Sequence, residues 1–352
     1  MKFLIIGCYA LADGYKAMSN GLRYLGHDIA FFPLFASQDI LREGKYKNYK
    51  IENEILSAVK GERLSVDMGL YINNCSEKCN SIIVWHGVDL CAKYNETFKK
   101  IKTQTGAKLI QINWDPNPNF KEHLDSYYKD YDHIFSVNSK ITKYLRDTKK
   151  FKNAYHFHQG FDEDYSFYKK DEDFKCDVSM VCTNLYTNDM WKDKNLDRKK
   201  ILDLLYADDS IDLKVYGPQF LKKAYPKAYK GYIPYSQAYL VFSNSLVNLN
   251  ISSVGDSLTT KLDGKDCYYF SERLPQILAC KGLMVCDQEF GTLLKKGKDY
   301  IKLEKEEDII KVVNDVKAKT KKYNTIRKSG YANVLKALNC QKFGEQIMRR
   351  MG

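Results

Sequence analysis

Short apolar runs, separated by amphipathic segments of helical length, make up most of the first half of the chain. Such runs occur at 2–7 (KFLIIG), 81–87 (SIIVWHG), 108–114 (KLIQINW) and 133–138 (HIFSVN). Continuous apolar strands that alternate with helices are typical of a parallel sheet covered by helices on both faces. The pattern therefore predicts an α/β domain that opens with a strand-helix-strand unit.

A second series of the same kind follows a charge-dense stretch at 162–175, DEDYSFYKKDEDFK, which is typical of a linker. Its predicted strands lie at 177–183, 212–217, 246–251 and 300–303. We therefore predict two doubly wound, Rossmann-like α/β domains that face a cleft. Ligands of such sheets bind at the carboxyl ends of the strands, so we expect the functional residues in the loops after strands.

Composition agrees with a folded chain of two domains. The 352 residues exceed the usual size of one domain. No run of about 18 apolar residues and no signal-like leader is present, so we expect a cytoplasmic protein without a transmembrane segment. The ten cysteines are scattered, which favours reduced thiols over a disulfide framework.

The formal net charge of +12 raises the question of a nucleic-acid partner. However, 47 of the 56 basic residues are lysine and nine are arginine, and they form no basic tract. Base readout and bidentate phosphate contacts favour arginine. We therefore predict no nucleic-acid partner and a solvated lysine-rich surface. A mild attraction for anions remains, which leaves room for small-molecule phosphates or peripheral contact with an anionic membrane face.

Several motifs of cofactor and metal sites are missing. The loop after the first strand has Gly7 and Gly14 but lacks the G-x-G-x-x-G spacing of dinucleotide sites, and Gly7 also fits a plain turn. No P-loop and no G-x-S-x-G elbow occurs. Cys75 and Cys79 have no second pair of ligands, so we predict no zinc site.

Five segments of the second half stand in an informative order: VSMVCT, LKVYG, YKGYIPY, VNLNI and RLPQILACKG. This order resembles the nucleotide-binding half of GT-B glycosyltransferases, and within them the group-1 and CgeB-like families, over about residues 155 to 315. The resemblance implies an enzyme that moves a sugar from a GDP- or UDP-sugar donor to a hydroxyl of a glycan or glycoconjugate. No Asp-x-Asp pair ends a predicted strand, so we expect the enzyme to need no metal.

The resemblance also implies a division of the chain. Residues 1–160 would form an acceptor-binding domain and residues 161–337 a nucleotide-sugar-binding domain. Residues 338–352 would form a C-terminal helix that returns to the N-terminal domain.

Arg273 opens the segment RLPQILACKG at a predicted helix start. Free N–H groups at a helix start and the forked guanidinium both suit a diphosphate. The matching arginine of the family lies at the donor phosphates, so the resemblance assigns Arg273 to them. The alternative is a surface arginine near a helix end.

The family usually has a glutamate three residues after this arginine, which accepts hydrogen bonds from the ribose. Gln276 stands there, and its uncharged amide oxygen accepts more weakly. Glu272 is the nearest carboxylate and a substitute, although neighbouring positions of a helix usually face different ways. The glycine pair of the pattern is Lys281-Gly282, so only its second glycine is kept.

Five further residues are binding candidates through the resemblance. Tyr232 and Ile233 would flank the nucleotide base, near the loop that holds Tyr216 and Gly217. Each of these four could instead belong to the core or a turn. Arg198 opens a predicted helix where the family often has an arginine, and its alternative is a solvated helix face.

Three residues after predicted N-terminal strands are candidate general bases: Asp115, His86 and Asp13. A carboxylate or imidazole there could deprotonate a sugar hydroxyl that attacks the anomeric carbon. Asp115, between Trp114 and Pro116, is the first candidate and His86 the second. The simpler explanation is a turn-forming aspartate and a loop histidine.

Two other functions stay open. A sugar-nucleotide epimerase on the same fold would bind the same donor and release a changed sugar without an acceptor. A basic protein that binds nucleic acid or an anionic surface would use the net charge of +12 instead.

Overall fold

The computed structural model describes residues 1–7, 12–33, 51–62, 78–85, 88–113, 120–182, 185, 196–251 and 271–351. The chain divides into two compact units. Unit 1 comprises Met1–His158 with Cys340–Gly352, and unit 2 comprises Gln159–Asn339. Within the described ranges, none of the helices has both the length and the apolar character needed to cross a membrane.

Unit 1 is built on a parallel sheet of six strands. The strands are β1 (Lys2–Gly7), β2 (Asp28–Pro33), β3 (Ser81–Trp85), β4 (Lys108–Asn113), β5 (His133–Ser136) and β6 (Ala154–His156). Their order is β2-β1-β3-β4-β5-β6, and every neighbouring pair is parallel. All five residues of β3 are buried, as expected for a strand with both faces covered.

The helices of unit 1 connect these strands. They are α1 (Ala12–Tyr24), α2 (Ile51–Lys60), α3 (Val88–Lys93), α4 (Asn95–Thr105), α5 (Phe120–Tyr127) and α6 (Ser139–Lys143). A short 3-10 turn at Tyr128–Asp130 and a π-helical turn at Tyr144–Thr148 extend the last two. Helix α4 ends at Gly106, whose φ of 69° is the left-handed conformation that glycine adopts at low cost.

Unit 2 has a parallel sheet of five strands. They are β7 (Cys176–Val181), β8 (Leu213–Tyr216), β9 (Ser245–Asn250), β10 (Met284–Cys286) and β11 (Ile301–Lys302), in the order β11-β10-β9-β7-β8. The helices are α7 (Arg198–Ala207), α8 (Phe220–Ala224), α9 (Ala238–Asn244), α10 (Arg273–Ala279), α11 (Ile309–Ala318) and α12 (Thr320–Ala337). Three 3-10 turns lie at Glu172–Phe174, Tyr235–Gln237 and Glu306–Asp308.

Both sheets are doubly wound, as predicted. In unit 2 the chain passes from β7 to β8 on one side and then returns to β9 on the other. In unit 1 the same reversal lies between β1 and β3. Each reversal is a topological switch point, where the loops after the two strands diverge and leave a crevice.

The C-terminal helix α13 (Cys340–Met351) belongs to unit 1, as the predicted return of this helix requires. It packs against α1 so closely that a Cβ on Gly21 would lie 1.9 Å from the carbonyl oxygen of Cys340. Phe343 stacks on Phe157 at a centroid distance of 5.5 Å. The helix begins at Cys340 instead of 338, because Leu338 belongs to unit 2 and its carbonyl accepts a hydrogen bond from Phe161 N.

Candidate functional site

The carboxyl edge of the unit 2 sheet collects most of the predicted binding residues. The switch point lies between β7, which ends at Val181, and β9, which ends at Asn250. Helix α10 follows β9 in the described sequence and contacts both β9 and β10. Residues at the starts of α7 and α10 therefore have access to the ends of the two central strands.

Arg273 is fixed to the end of β7. Its Nη1 donates a hydrogen bond to the carbonyl oxygen of Val181 at 2.5 Å, and its backbone N donates to Ser271 Oγ at 3.3 Å. The side chain is partly buried, and the described residues include no carboxylate that pairs with it. Since an arginine has several N–H donors, others remain for a ligand at the strand ends. The contact places Arg273 at the switch point and not on an outer surface.

Arg198 is fixed to the end of the neighbouring strand. Its Nε and Nη2 donate to the carbonyl oxygen of Ile251, directly after β9, at 3.2 and 2.6 Å. Asp197 caps α7 by accepting hydrogen bonds from Lys199 N and Lys200 N, which sets the helix start at Arg198. Arg198 is only 4% exposed. The solvated helix face considered above is therefore wrong for this residue.

The thiol of Cys182 shows that the two arginines share one neighbourhood. Burial raises the pKa of Cys182, whereas the charges of Arg198 and Arg273 act on it in the opposite direction. Cys182 follows β7 directly and is buried. Two guanidinium groups that are distant in sequence thus lie at the ends of two neighbouring strands, β7 and β9, and both act on Cys182.

The start of α10 was expected to attract a diphosphate through its free N–H groups as well as through Arg273. The helix spans only seven residues, and the carboxylate of Glu272 precedes it without a side-chain capping bond. A carboxylate near a helix start offsets the positive end of the dipole. The positive charge of this edge therefore comes mainly from the arginine side chains.

Gly217 permits a close approach of three loops at the end of β7. Its φ is +154°, and a Cβ there would lie 2.1 Å from the carbonyl oxygen of Cys182. Its backbone N donates to the carbonyl of Gly231 at 3.0 Å, and its own carbonyl accepts from Tyr229 Oη at 3.1 Å. Any side chain at Gly217 would separate these segments, so the residue shapes the edge instead of contacting a ligand through a side chain.

The two candidate tyrosines differ sharply. Tyr216 is 4% exposed and its ring stacks on Phe174, ahead of β7, so its side chain belongs to the core. Burial also raises the pKa of its phenol. Tyr232 is 69% exposed. Ile233 is buried, so within this pair of neighbours only the ring of Tyr232 is open to a planar partner.

Two buried amides at this edge lack partners in the described part of the chain. They are Gln276 Nε2, on α10, and Asn250 Oδ1, at the end of β9. An unsatisfied buried polar atom costs roughly 1 to 3 kcal/mol. A ligand with hydroxyl or phosphate oxygens could satisfy such atoms, and Asn250 is a candidate that the sequence analysis passed over. The signal was an asparagine at the end of the apolar strand LVNLN.

Glu272 shares a helix face with Gln276. Its backbone φ of −60° and ψ of −28° continue the helix, and four residues along a helix return to nearly the same face. Its Oε2 accepts a hydrogen bond from Gln159 Nε2 at 3.3 Å. The buried Gln159, which no motif singled out, therefore orients this carboxylate.

The three candidate general bases are not described in full. Asp115 and His86 lie outside the described residues, and of Asp13 only the backbone position, as the second residue of α1, is described. The ends of the strands that lead to two of them are described. Trp85 ends β3 and is 1% exposed, and Asn113 ends β4 with both of its side-chain polar atoms buried and without a partner in the described ranges.

Residues 198–349 match the family model described as Glycosyl transferase-like. The chain carries a glycosyl transferase-like domain. Its matched range begins at Arg198 and runs into α13. No curated protein matches the chain.

Solved structures are similar over the whole chain. Anabaena HepE in complex with UDP has a TM-score of 0.63 at 10% identity, with 100% of this chain and 99% of that chain covered. Sucrose-phosphate synthase from Thermosynechococcus elongatus has a TM-score of 0.63 at 11% identity, over 99% and 98%. A UDP-N-acetylglucosamine 2-epimerase has a TM-score of 0.51 at 10% identity, over 99% and 94%.

The GT-B fold is thereby shown for the whole chain. The glycosyl transferase-like domain at residues 198–349 agrees with the predicted class of enzyme, a GT-B-type glycosyltransferase. The narrower CgeB-like assignment stays a prediction.

Proposed function

We propose that the chain transfers a sugar from a nucleoside diphosphate sugar to a hydroxyl of a glycan or glycoconjugate. The observation that carries the proposal is the convergence of Arg198 and Arg273 on the carboxyl ends of β7 and β9. This is the position where doubly wound sheets take their ligands. A diphosphate has the charge and oxygen geometry that guanidinium donors recognise.

In this proposal unit 2 holds the donor. Arg273 contacts the diphosphate with the N–H groups that Val181 does not use, and the buried Arg198 adds positive charge behind it. Gln276 and Glu272 are the candidate partners of the ribose hydroxyls, and Tyr232 the stacking partner of the base. UDP is our first choice of donor nucleotide, because the similar HepE was solved with UDP and with UDP-glucose; a GDP-sugar is the alternative.

The transfer breaks the bond between the anomeric carbon and the diphosphate oxygen and forms a bond to the acceptor oxygen. The nucleoside diphosphate leaves with the electron pair, and the acceptor hydroxyl gives its proton to a base. We propose Asp115 as that base, with His86 and Asp13 as the next candidates, in unit 1 as the acceptor-binding part. Asn113 supports this choice, since its unpaired amide precedes Asp115 by two residues and suits sugar hydroxyls.

We further propose that the reaction needs no metal ion. The charge that develops on the leaving diphosphate would be stabilised by guanidinium groups fixed in advance by strand carbonyls. Preorganised cations of this kind stabilise a transition state without reorganising during the reaction. Turnover that survives extensive treatment with EDTA would agree with this part, and loss of turnover restored by Mg²⁺ or Mn²⁺ would contradict it.

Thermal unfolding with UDP, GDP and a short duplex DNA at two salt concentrations tests the donor site. A ligand that binds the native state raises the midpoint of unfolding. We expect a rise with one nucleotide that persists at the higher salt concentration. A rise with DNA alone that collapses with salt would instead identify a nucleic-acid binder.

An epimerase remains the second candidate, because the chain is also similar in fold to a UDP-N-acetylglucosamine 2-epimerase. The two activities differ in their need for an acceptor. Incubation with UDP-sugars in the absence of acceptor, followed by NMR of the sugar nucleotide, separates them. A changed sugar still attached to UDP would favour the epimerase, whereas release of UDP that rises with added glycan favours transfer.

A further inference from the structure

The opposite edge of the unit 2 sheet holds a cavity of about 1170 Å³. It is lined by Cys176, which begins β7, by Ser245, which begins β9, and by residues of α12. Strand β7 has six residues and therefore separates this cavity from the Arg273 edge by about 17 Å. The cavity is thus distinct from the site proposed for the donor.

Lys281 lines this cavity and adopts an unusual backbone conformation. Its φ is +57°, in the left-handed region that glycine prefers. It occupies the position after α10 where the chain turns, since Gly282 N donates to Ile277 O at 2.9 Å and Lys281 N to Leu278 O at 3.0 Å. This is a Schellman ending, in which the left-handed residue is usually glycine. A lysine in this conformation carries backbone strain, which favourable contacts of its side chain can offset.

The side chain of Lys281 is held between two aromatic rings. Its ammonium lies 5.3 Å from the ring centroid of Tyr168 and 5.1 Å from that of Tyr331. Both rings also line the cavity. Cation–π contacts fix the position of an ammonium group without neutralising its charge. Among the described residues no carboxylate pairs with Lys281, so its charge stays available.

Arg327 adds a second cation on the same wall. Its Nη2 donates to Leu246 O at 2.5 Å and its Nη1 to Asn324 Oδ1 at 2.9 Å, so its contacts in the described chain are with neutral groups. Burial lowers the pKa of Arg327, and Tyr168 acts on it in the opposite direction. An arginine stays protonated in proteins, and a partly buried cation without a counter-charge is costly.

Carboxylates also line the cavity, but lysines engage two of them. Glu172 pairs with Lys170 at 2.9 Å and with Lys175 at 3.6 Å. Asp177 pairs with Lys317 at 2.7 Å. With Asp212 the lining has three acidic residues, against five basic ones: Lys175, Lys281, Lys317, Arg327 and Lys328. The excess charge therefore belongs to the wall that carries Lys281 and Arg327.

We propose that this cavity binds a phosphate group through Lys281 and Arg327. Two cations without counter-charges match the double charge of a phosphate monoester, and a guanidinium adds directional donors. The cavity is large enough for the organic part of such a ligand, since small-molecule sites usually enclose about 300 to 1,000 Å³. The phosphate would belong either to a soluble phosphorylated compound or to a lipid headgroup.

The test compares two lysines with the same backbone conformation. Lys281→Gly removes the ammonium and relieves the backbone, and Lys150→Gly does the same in unit 1, where the φ of Lys150 is also 57°. Both variants lose one positive charge, so any general effect of net charge is equal. Neither should unfold at a lower temperature than the parent protein, because glycine suits this conformation.

Calorimetric titration with glycerol phosphate tests whether the cavity binds a soluble phosphorylated compound. All proteins carry Arg273→Ala, which removes the direct phosphate contact proposed for the donor site whether or not the donor proposal holds. We expect Lys281→Gly to weaken binding about ten-fold, as for loss of one hydrogen bond to a charged group, and Lys150→Gly to leave it unchanged. Glycerol without phosphate should not bind.

Sedimentation with phosphatidylcholine vesicles, with and without phosphatidic acid, tests binding to a lipid phosphate monoester. Binding that requires phosphatidic acid and that Lys281→Gly weakens more than Lys150→Gly would assign the phosphate to a lipid. The same difference with glycerol phosphate alone would assign it to a soluble ligand. The proposal is overturned if the parent binds neither probe, or if both lysine variants bind as the parent does.

Discussion

The two switch points of the molecule offer different chemistry. In unit 2, Arg198 and Arg273 are bound to the carbonyl groups that end β9 and β7. In unit 1, the strand ends at the switch point are Gly7 and the buried Trp85, and the next strand, β4, ends at the buried amide Asn113. The same topology thus presents fixed cations in one unit and, in the other, apolar and amide groups before loops that contain an aspartate and a histidine.

The two sets of groups suit different chemical tasks. Guanidinium groups keep their charge at every physiological pH, so unit 2 is suited to an anion that stays charged. A carboxylate or imidazole changes its protonation, so the loops of unit 1 are suited to accepting a proton. If this division is right, substitutions in unit 1 alter turnover and substitutions in unit 2 alter nucleotide binding.

The largest effect should come from Asp115→Asn. Loss of a general base typically lowers turnover by about 100-fold or more, whereas the amide preserves the size of the side chain. Steady-state kinetics should show the fall in kcat, and calorimetry should show unchanged affinity for UDP. Near-normal turnover would remove Asp115 from the mechanism and direct attention to His86→Ala.

Arg273→Ala should weaken nucleotide binding by unit 2. Loss of a charge-assisted contact should weaken binding of UDP by about 1.5 to 3 kcal/mol, which is ten-fold or more in affinity. Arg273→Lys should recover only part of it, because an ammonium lacks the forked geometry.

Uridine without phosphates is the control ligand for Arg273. It should bind the parent and both variants about equally in calorimetry. Equal losses for uridine and UDP would mean that Arg273 supports the fold through its bond to Val181 instead of holding phosphates.

A third prediction concerns the stability of unit 1 in acid. Burial, and next the neighbouring His156, lowers the pKa of His158 in unit 1 to about 3. The native state keeps this ring neutral, whereas the unfolded chain protonates it below a pKa of about 6.5. The stability it supports is therefore present above pH ~6.5 and is lost toward pH ~3, by up to ~1.4 kcal/mol per pH unit.

Urea denaturation of the parent and of His158→Gln between pH 7 and 5 checks this sign. The variant should lose less free energy of unfolding as the pH falls, because glutamine has no proton to gain. His123→Gln, in the same unit, serves as the control. Parallel pH dependence in the parent and in His158→Gln would contradict the prediction.

The smallest effect should come from Tyr232→Ala. Stacking of a base on an aromatic ring contributes about 1 to 3 kcal/mol, and we expect the lower end because this ring is 69% exposed. UDP affinity should fall about five-fold while the unfolding temperature stays constant. Tyr216→Ala, which removes a buried ring, should instead lower the unfolding temperature. Unchanged UDP affinity would mean that Tyr232 does not contact the base.

The residues that the sequence placed correctly are those whose position depends on their neighbours in the chain. The apolar run 81–87 contains the observed strand β3, and the run 246–251 overlaps β9 with a shift of one residue, because a buried parallel strand needs a continuous apolar stretch. Arg198 and Arg273 were found because each begins a helix just after a strand or loop motif. Asn250 and Asn113 were missed because an unpaired buried amide is visible only when all its neighbours are known.

The sequence by itself determined the class of fold, the strands and the chain positions that lead into each candidate site, since hydrophobic periodicity and turn residues act over a few residues. Only the tertiary structure decided the strand order, and with it the switch point where Arg198 and Arg273 bind the carbonyl groups after β9 and at the end of β7. It also placed the ring of Tyr216 in the core and Lys281 in the lining of a cavity. These outcomes depend on pairing and packing between distant segments, which no local pattern encodes.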